Sequence, residues 1–265
     1  MIGLPKKNNI THPIYMWQKP LFDALEKARV SQDSLLHDKS LAVLKSRGIG
    51  GSEFLLRYML WLCLKDNKMR GKQMVCITGI RENLAHELVS RYRNLLPNFE
   101  WEGREGTATI NECRLIGYPS VRGPKDLRGL TDVSFILCDE FDHFNPSDAA
   151  QILPVIEALQ TKSGNPTICL LSTPGPIDSV MHKLFNEPED KCRYKRLTFP
   201  VQSAVGTLIT KSEWERAKLQ PNYEQEFELR FSSYGIGSIS HLLTLIFVSS
   251  LGVSIATQIT IQIIH

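Results

Sequence analysis

Short apolar runs alternate with segments of helical period, and that alternation constrains the chain more than any other feature. "LAVLK" (41–45), "QMVCIT" (73–78), "VSFILCDE" (133–140) and "PTICLLST" (166–173) are apolar stretches of strand length, as strands covered on both faces require. Between them, "GSEFLLRYMLWLCLKD" (51–66), "ENLAHELVSRYRNLL" (82–96) and "SDAAQILPVIEAL" (147–159) carry helical periodicity, with Pro154 expected to bend or shorten the last. Repeats of strand, helix and strand give a mostly parallel sheet flanked by helical crossovers, an α/β fold. "TATINECRLIGY" (107–118) reads as a small hairpin or an addition to the sheet edge.

A chain of 265 residues holds one large domain of this kind plus a small appendage. Its formal net charge of +3 is too small to imply nucleic-acid binding by itself. The local basic clusters "KDNKMRGK" (65–72) and "KCRYKR" (191–196) read first as solvated turns. Six scattered cysteines without CxxC spacing, several inside apolar runs, point to a reduced, cytoplasmic protein without a zinc site. The first fifteen residues have no apolar core of a secretory signal.

The junction between the first strand and the first long helix is "KSRGIGGSE" (45–53). Gly48, Gly50 and Gly51 let the backbone curl so that successive amides point inward, and Ser52 falls at the start of a helix whose positive end favours an anion. That is the chemistry of a phosphate cradle. The usual pattern GxxxxGK[ST] places a lysine where Gly51 stands, so the charge for the phosphates has to come from Lys45 or Arg47. Taken alone, such a stretch is more often an ordinary glycine-rich turn.

Its partners downstream favour the cradle. "FILCDE" ends a buried strand with adjacent carboxylates, Asp139 placed to hold Mg²⁺ and Glu140 to polarise the attacking water. Two such groups at a buried strand end repel each other without a cation. "CLLSTPGP" carries a further strand into Ser172 and Thr173, hydroxyls placed to sense a γ-phosphate or simply to end the strand in a turn.

This succession of loop, acid pair and Ser-Thr-Pro turn resembles the ATPase of the terminase large subunits, the DNA-packaging motors of tailed viruses, over roughly residues 12 to 235. "KSRGIGGSE" is similar to their variant Walker A, "FILCDEFDHF" to their Walker B and "LLSTPG" to their coupling motif. The resemblance implies a P-loop NTPase-like (ASCE-type) core, ATP and Mg²⁺ as cofactors, and phosphate binding by Lys45, the first loop position, with Arg47, Gly48, Gly50, Gly51 and Ser52. It implies metal binding by Ser52 and Asp139, catalysis by Glu140 with Arg47 and Arg128, and coupling through Ser172 and Thr173. "YMWQKPLF" (15–22) resembles the segment whose Gln reads adenine, which puts Gln18 forward, and Arg128 in "DLRGLTD" is available to stabilise transition-state charge or to touch DNA. The implied partners are double-stranded DNA, a portal protein and a small terminase subunit, with possible homo-oligomers on assembly, in the host cytoplasm. The alternatives are a catalytically dead remnant that only binds DNA or a capsid partner, and a helicase-like DNA remodeller.

The expected organisation is an ATPase domain over 1–200 and, over 201–238, two linker helices, "KSEWERAKLQ" and "NYEQEFELRF", leading toward a nuclease domain; 239–265 form an uncharged apolar tail. Terminase large subunits usually continue into a two-metal nuclease. No Asp or Glu follows Glu228, so residues 229–265 cannot build that metal site and nuclease activity is not expected. For the tail an out-of-frame continuation ranks ahead of a membrane anchor and of a packed β-rich end; its alternation of Ile with Thr and Gln suits a strand better than a spanning helix.

Overall fold

The structure is a computed structural model that describes residues 4–7, 10–12, 14–30, 39–79, 82–97, 99–104, 106–162 and 164–233. The tail discussed above lies outside the described residues. Strands β1 (Leu4–Lys7) and β2 (Ile10–His12) pair antiparallel with each other. The main sheet has seven strands: β3 (Ser40–Lys45), β4 (Gln73–Thr78), β5 (Thr107–Ile110), β6 (Cys113–Pro119), β7 (Val133–Asp139), β8 (Thr167–Ser172) and β9 (Lys195–Phe199). Their spatial order is β5-β6-β4-β7-β8-β3-β9, all neighbours parallel except the β5–β6 hairpin. The strand ending in the acid pair is thus separated from the strand entering the glycine-rich loop by β8.

The four apolar runs become β3, β4, β7 and β8, and β3 and β8 are buried at every position. Alternate side chains on them feed two cores. Leu41, Val43, Met74, Cys76, Phe135, Leu137, Cys169 and Leu171 pack against helices α1 (Lys19–Val30), α2 (Gly51–Lys65) and α3 (Glu82–Leu95). Ala42, Leu44, Val75, Ile77, Ile136, Cys138, Ile168 and Leu170 pack against α4 (Pro146–Lys162) on the other face. All six cysteines are buried free thiols.

Two expectations need correction, and one strand was not expected. Pro154 does not shorten its helix: α4 runs unbroken from Pro146 to Lys162, because the proline is on the exposed side while Ile152, Val155, Ile156 and Leu159 are buried. Strand β9 carries no sequence signal; its mixed burial lacks an apolar run, and its pairing with β3 places it at the edge. The second expected linker helix is only one turn. After α5 (Val180–Asn186) and α6 (Lys211–Ala217), helix α7 (Tyr223–Glu226) stops at once. There the carbonyl oxygens of Glu226 and Phe227 accept hydrogen bonds from the Arg47 N–H and the Ser46 hydroxyl. The chain then passes through Leu229 at φ 61° to pair with Gly175 and Ile177 through Ser232. "TATINECRLIGY" is both a hairpin and an edge addition, closed by Asn111 and Glu112 at φ 48° and 62° in a two-residue turn.

Candidate active site

The functional side chains converge at the carboxyl edge of the parallel strands, where open α/β sheets place ligands. Alternation along the strands decides which face each occupies. Lys45, Thr173, Asp139 and Thr78 fall in phase with Val43, Leu171, Leu137 and Cys76, so all four belong to the face covered by α2 and α3. Ser172 falls in phase with Leu170 and belongs to the α4 face.

The glycine-rich loop is short. Gly48 and Gly50 have φ of 76° and 77°, the left-handed region that a side chain strains, and Gly50 is the N-cap of α2. Gly51 is needed for a different reason: a Cβ there would lie 3.0 Å from Lys45 Cδ. The Lys45 side chain therefore folds back across the position where the lysine of the usual pattern would stand. Its ammonium Nζ donates to Glu140 Oε1 at 2.6 Å.

The Ser52 hydroxyl donates to Asp139 Oδ1 at 2.7 Å, so the two oxygens expected to hold a metal touch each other. Burial, and then the neighbouring Glu140 charge, push the Asp139 carboxyl up from the ordinary aspartate value. Burial would likewise push Glu140 up, but the Lys45 ammonium and the Thr173 N–H, 3.2 Å from Oε2, outweigh it and hold Glu140 below the usual range. Among the described residues no group of three or more His, Cys, Asp or Glu side chains is arranged to hold a metal ion. Ser52 with one carboxylate nevertheless fits magnesium, which commonly takes one or two protein oxygens and completes its shell from phosphates and water.

Ser172 and Thr173 bond to the turn after the acid pair. The Ser172 hydroxyl oxygen accepts the Asp142 N–H at 3.1 Å, and Thr173 Oγ1 shares a hydrogen bond with His143 Nε2 at 2.7 Å. Asp142 is the knot of this turn. Its buried carboxylate accepts from the Gly175 N–H (2.7 Å), the Ser179 hydroxyl (2.9 Å) and the Met181 N–H (3.2 Å), yet burial still pushes it above the ordinary value. Gly175 comes so near that a Cβ would stand 2.7 Å from Asp142 Oδ2 and 2.8 Å from its carbonyl oxygen.

The other expected residues lie further out. Gln18 is fully buried; its Oε1 accepts the Tyr15 N–H, its Nε2 has no partner, and its neighbour Trp17 packs edge-on against Phe199, whose carbonyl accepts the Ser46 N–H. Arg47 is 66% exposed and faces Glu226 at 3.5 Å. Arg128 is exposed on a single 3₁₀ turn.

Beside the acid pair is a cavity of about 360 Å³ lined by Thr78, Leu88, Arg91, Asp139, Glu140 and His143, among others. Arg91 and Thr78 are not among the residues expected from the sequence. Neither belongs to the glycine-rich loop, the acid pair or the Ser-Thr-Pro turn: the pairing of β4 with β7 brings Thr78 to the acids, and Arg91 reaches the same cavity from α3. Arg91 is bound to Glu53 Oε2 at 2.6 Å, and Glu53 also accepts from Arg57 at 2.9 Å.

No protein-family model and no curated protein sequence matches the chain. Solved structures do. A variant of the ATPase domain of the Thermus phage P74-26 large terminase superposes with a TM-score of 0.56 at 14% identity, over 83% of this chain and 95% of that one. The fold is that of a large terminase ATPase domain. The large terminase of a second, thermophilic bacteriophage, solved in complex with ADP, matches at TM-score 0.60 and 12% identity over 83% of this chain and 54% of its own. That of bacteriophage HK97 matches at 0.60 and 14% over 86% and 52%. The chain thus spans nearly all of the isolated terminase ATPase domain and about half of these two longer terminases. At such identities the likeness is one of fold, and the terminase ATPase fold is the architecture expected from the sequence.

Proposed function

We propose that the chain hydrolyses ATP with magnesium and uses the energy to move double-stranded DNA, as the motor part of a viral packaging terminase. The observation that carries the proposal is the pair of short contacts, Ser52 to Asp139 and Lys45 to Glu140, joining the loop to the acid strand. Lys45 and the loop with Gly48, Gly50 and Gly51 hold the β- and γ-phosphates, and Ser52 and Asp139 hold the metal, which supplies charge neutralisation on those phosphates. Glu140 takes a proton from the attacking water. Ser172 and Thr173 carry the change at Glu140 into the loop that Asp142 ties together. Gln18 serves adenine once its buried amide is uncovered, Arg47 serves the phosphates and transition-state charge, and Arg128 serves transition-state charge or DNA.

On this reading residues 1–200 are the ATPase domain, and 201–238 are linker helices leading toward a nuclease domain; their described part rests on the phosphate loop through Glu226 and Phe227. A portal protein, a small terminase subunit and further copies of the chain are the partners, in the host cytoplasm. No helix among the described residues is long and apolar enough to cross a membrane.

The experiment is a steady-state ATPase assay with and without double-stranded DNA. Magnesium-dependent hydrolysis that rises on adding DNA supports the motor. ATP binding without hydrolysis under both conditions leaves the binding-only remnant, which Gly51 in place of the usual lysine favours.

A further inference from the structure

Thr78 ends β4 and is 4% exposed, and its hydroxyl Oγ1 is buried without a hydrogen-bond partner. An unpaired buried hydroxyl costs on the order of 1–3 kcal/mol relative to a bonded one, so a fold rarely keeps one without a use for it. The position is telling. Ile77 pairs with Cys138, so Thr78 stands in the next row beside Asp139, on the same face of the sheet, and both line the cavity that Glu140 also lines. Of the other polar groups lining that cavity, Arg91 is bound to Glu53, His143 to Thr173, Asp139 to Ser52 and Glu140 Oε1 to Lys45, while Glu87 is exposed to solvent.

We propose that Thr78 is a positioning residue for the attacking water, a role that rests on the ATPase reading above. With the Thr78 hydroxyl turned about χ1 into the cavity, a water there donates one O–H to the Glu140 carboxylate and the other to Thr78 Oγ1, which turns its lone pair toward the γ-phosphorus. The lone pair forms the new P–O bond as the bond from the γ-phosphorus to the β–γ bridging oxygen breaks. Its electrons leave on ADP, and the water proton passes to Glu140. Two hydrogen bonds fix the direction of attack where one would leave the water free to rotate about it.

The test compares Thr78→Val and Thr78→Ser with the wild-type chain. Valine keeps the shape and removes a hydroxyl that bonds nothing in the fold, so a merely structural role leaves Thr78→Val as active as wild type and as stable or more so. The positioning role predicts a kcat lower by at least about fivefold in Thr78→Val, with unchanged KM for ATP and unchanged affinity for ATPγS by fluorescence titration, and Thr78→Ser close to wild type. A smaller fall in kcat, a matching loss of ATPγS affinity, or an equal defect in Thr78→Ser overturns it. If the wild-type chain binds ATPγS but hydrolyses no ATP, the ATPase reading falls and this inference with it. An active wild type with an equally active Thr78→Val sinks the inference alone.

Discussion

Lys45 Nζ lies 2.6 Å from Glu140 Oε1, so the cation at the phosphate loop and the carboxylate after the acid strand neutralise each other. They cannot remain so while the lysine serves a phosphate. A γ-phosphate drawing Lys45 away removes the largest charge holding Glu140 down, leaves the Thr173 N–H and His143 against burial, and lets the carboxyl rise toward a stronger base. On the proposed ATPase reading, binding of the nucleotide thereby prepares the base that takes the proton of the attacking water.

Glu140→Gln keeps the shape and the acceptor for Thr173 N–H but cannot take a proton. Hydrolysis is expected to fall by about 100-fold or more with nucleotide affinity retained. Single-turnover kinetics beside equilibrium ATPγS binding check this, and parallel loss of both would remove Glu140 from the role of base.

Lys45→Ala is expected to abolish hydrolysis. Since the Lys45 side chain occupies the space over Gly51, its removal makes room for a lysine at the usual position, and Lys45→Ala with Gly51→Lys is expected to recover part of the activity. Gly51→Lys alone, with Lys45 still in place, crowds the loop and should impair it. The ordering of the three variants in one ATPase assay decides; a double variant no better than Lys45→Ala would refute the exchange.

Asp139→Asn is expected to destroy hydrolysis and raise thermal stability at neutral pH. A carboxyl raised in the folded state stabilises the fold fully below its unfolded pKa and loses that contribution as pH rises through the folded value. The penalty therefore builds as pH rises through the folded value, and an uncharged isostere relieves it. Each kcal/mol relieved corresponds to roughly 2–4 °C in a chain of this size. Melting curves from about pH 4 to about pH 8 should show the gap between the two proteins widening with pH.

Gly175→Ala forces a methyl onto the Asp142 carboxylate and carbonyl, and overpacking of this sort costs typically about 1–3 kcal/mol. Gly129→Ala, with nothing within 4 Å of the added carbon, is the matched control and should melt like the wild type. Equal melting temperatures for both variants would show that the loop after β8 yields easily.

The layers of the fold were legible because β3, β4, β7 and β8 are buried on both faces and so written in apolar residues. The acid pair and the loop were legible because their residue types are unusual at strand ends. Strand β9 was not, since an edge strand needs no apolar run, nor was the end of α7, which is set by Ser46 and Arg47 far away in sequence. Thr78 and Arg91 have no local mark at all. The pairing of β4 beside β7 makes Thr78 a neighbour of the acids, and the packing of α3 on that face brings in Arg91.

The placement of β3 between β8 and β9 bears on how the chain is made. Leu41 leaves the ribosome early, yet its partners Cys169 and Lys195 come in the last part of the described chain, and the loop after β3 awaits the carbonyls of Glu226 and Phe227. Until then β3 has neither of its neighbouring strands beside it. Closure over such a long loop is slow, and the waiting chain exposes surface that aggregates. The phosphate loop is therefore among the last parts of the domain to be completed, and a nascent chain gains its nucleotide site only when almost all of the domain has been synthesised.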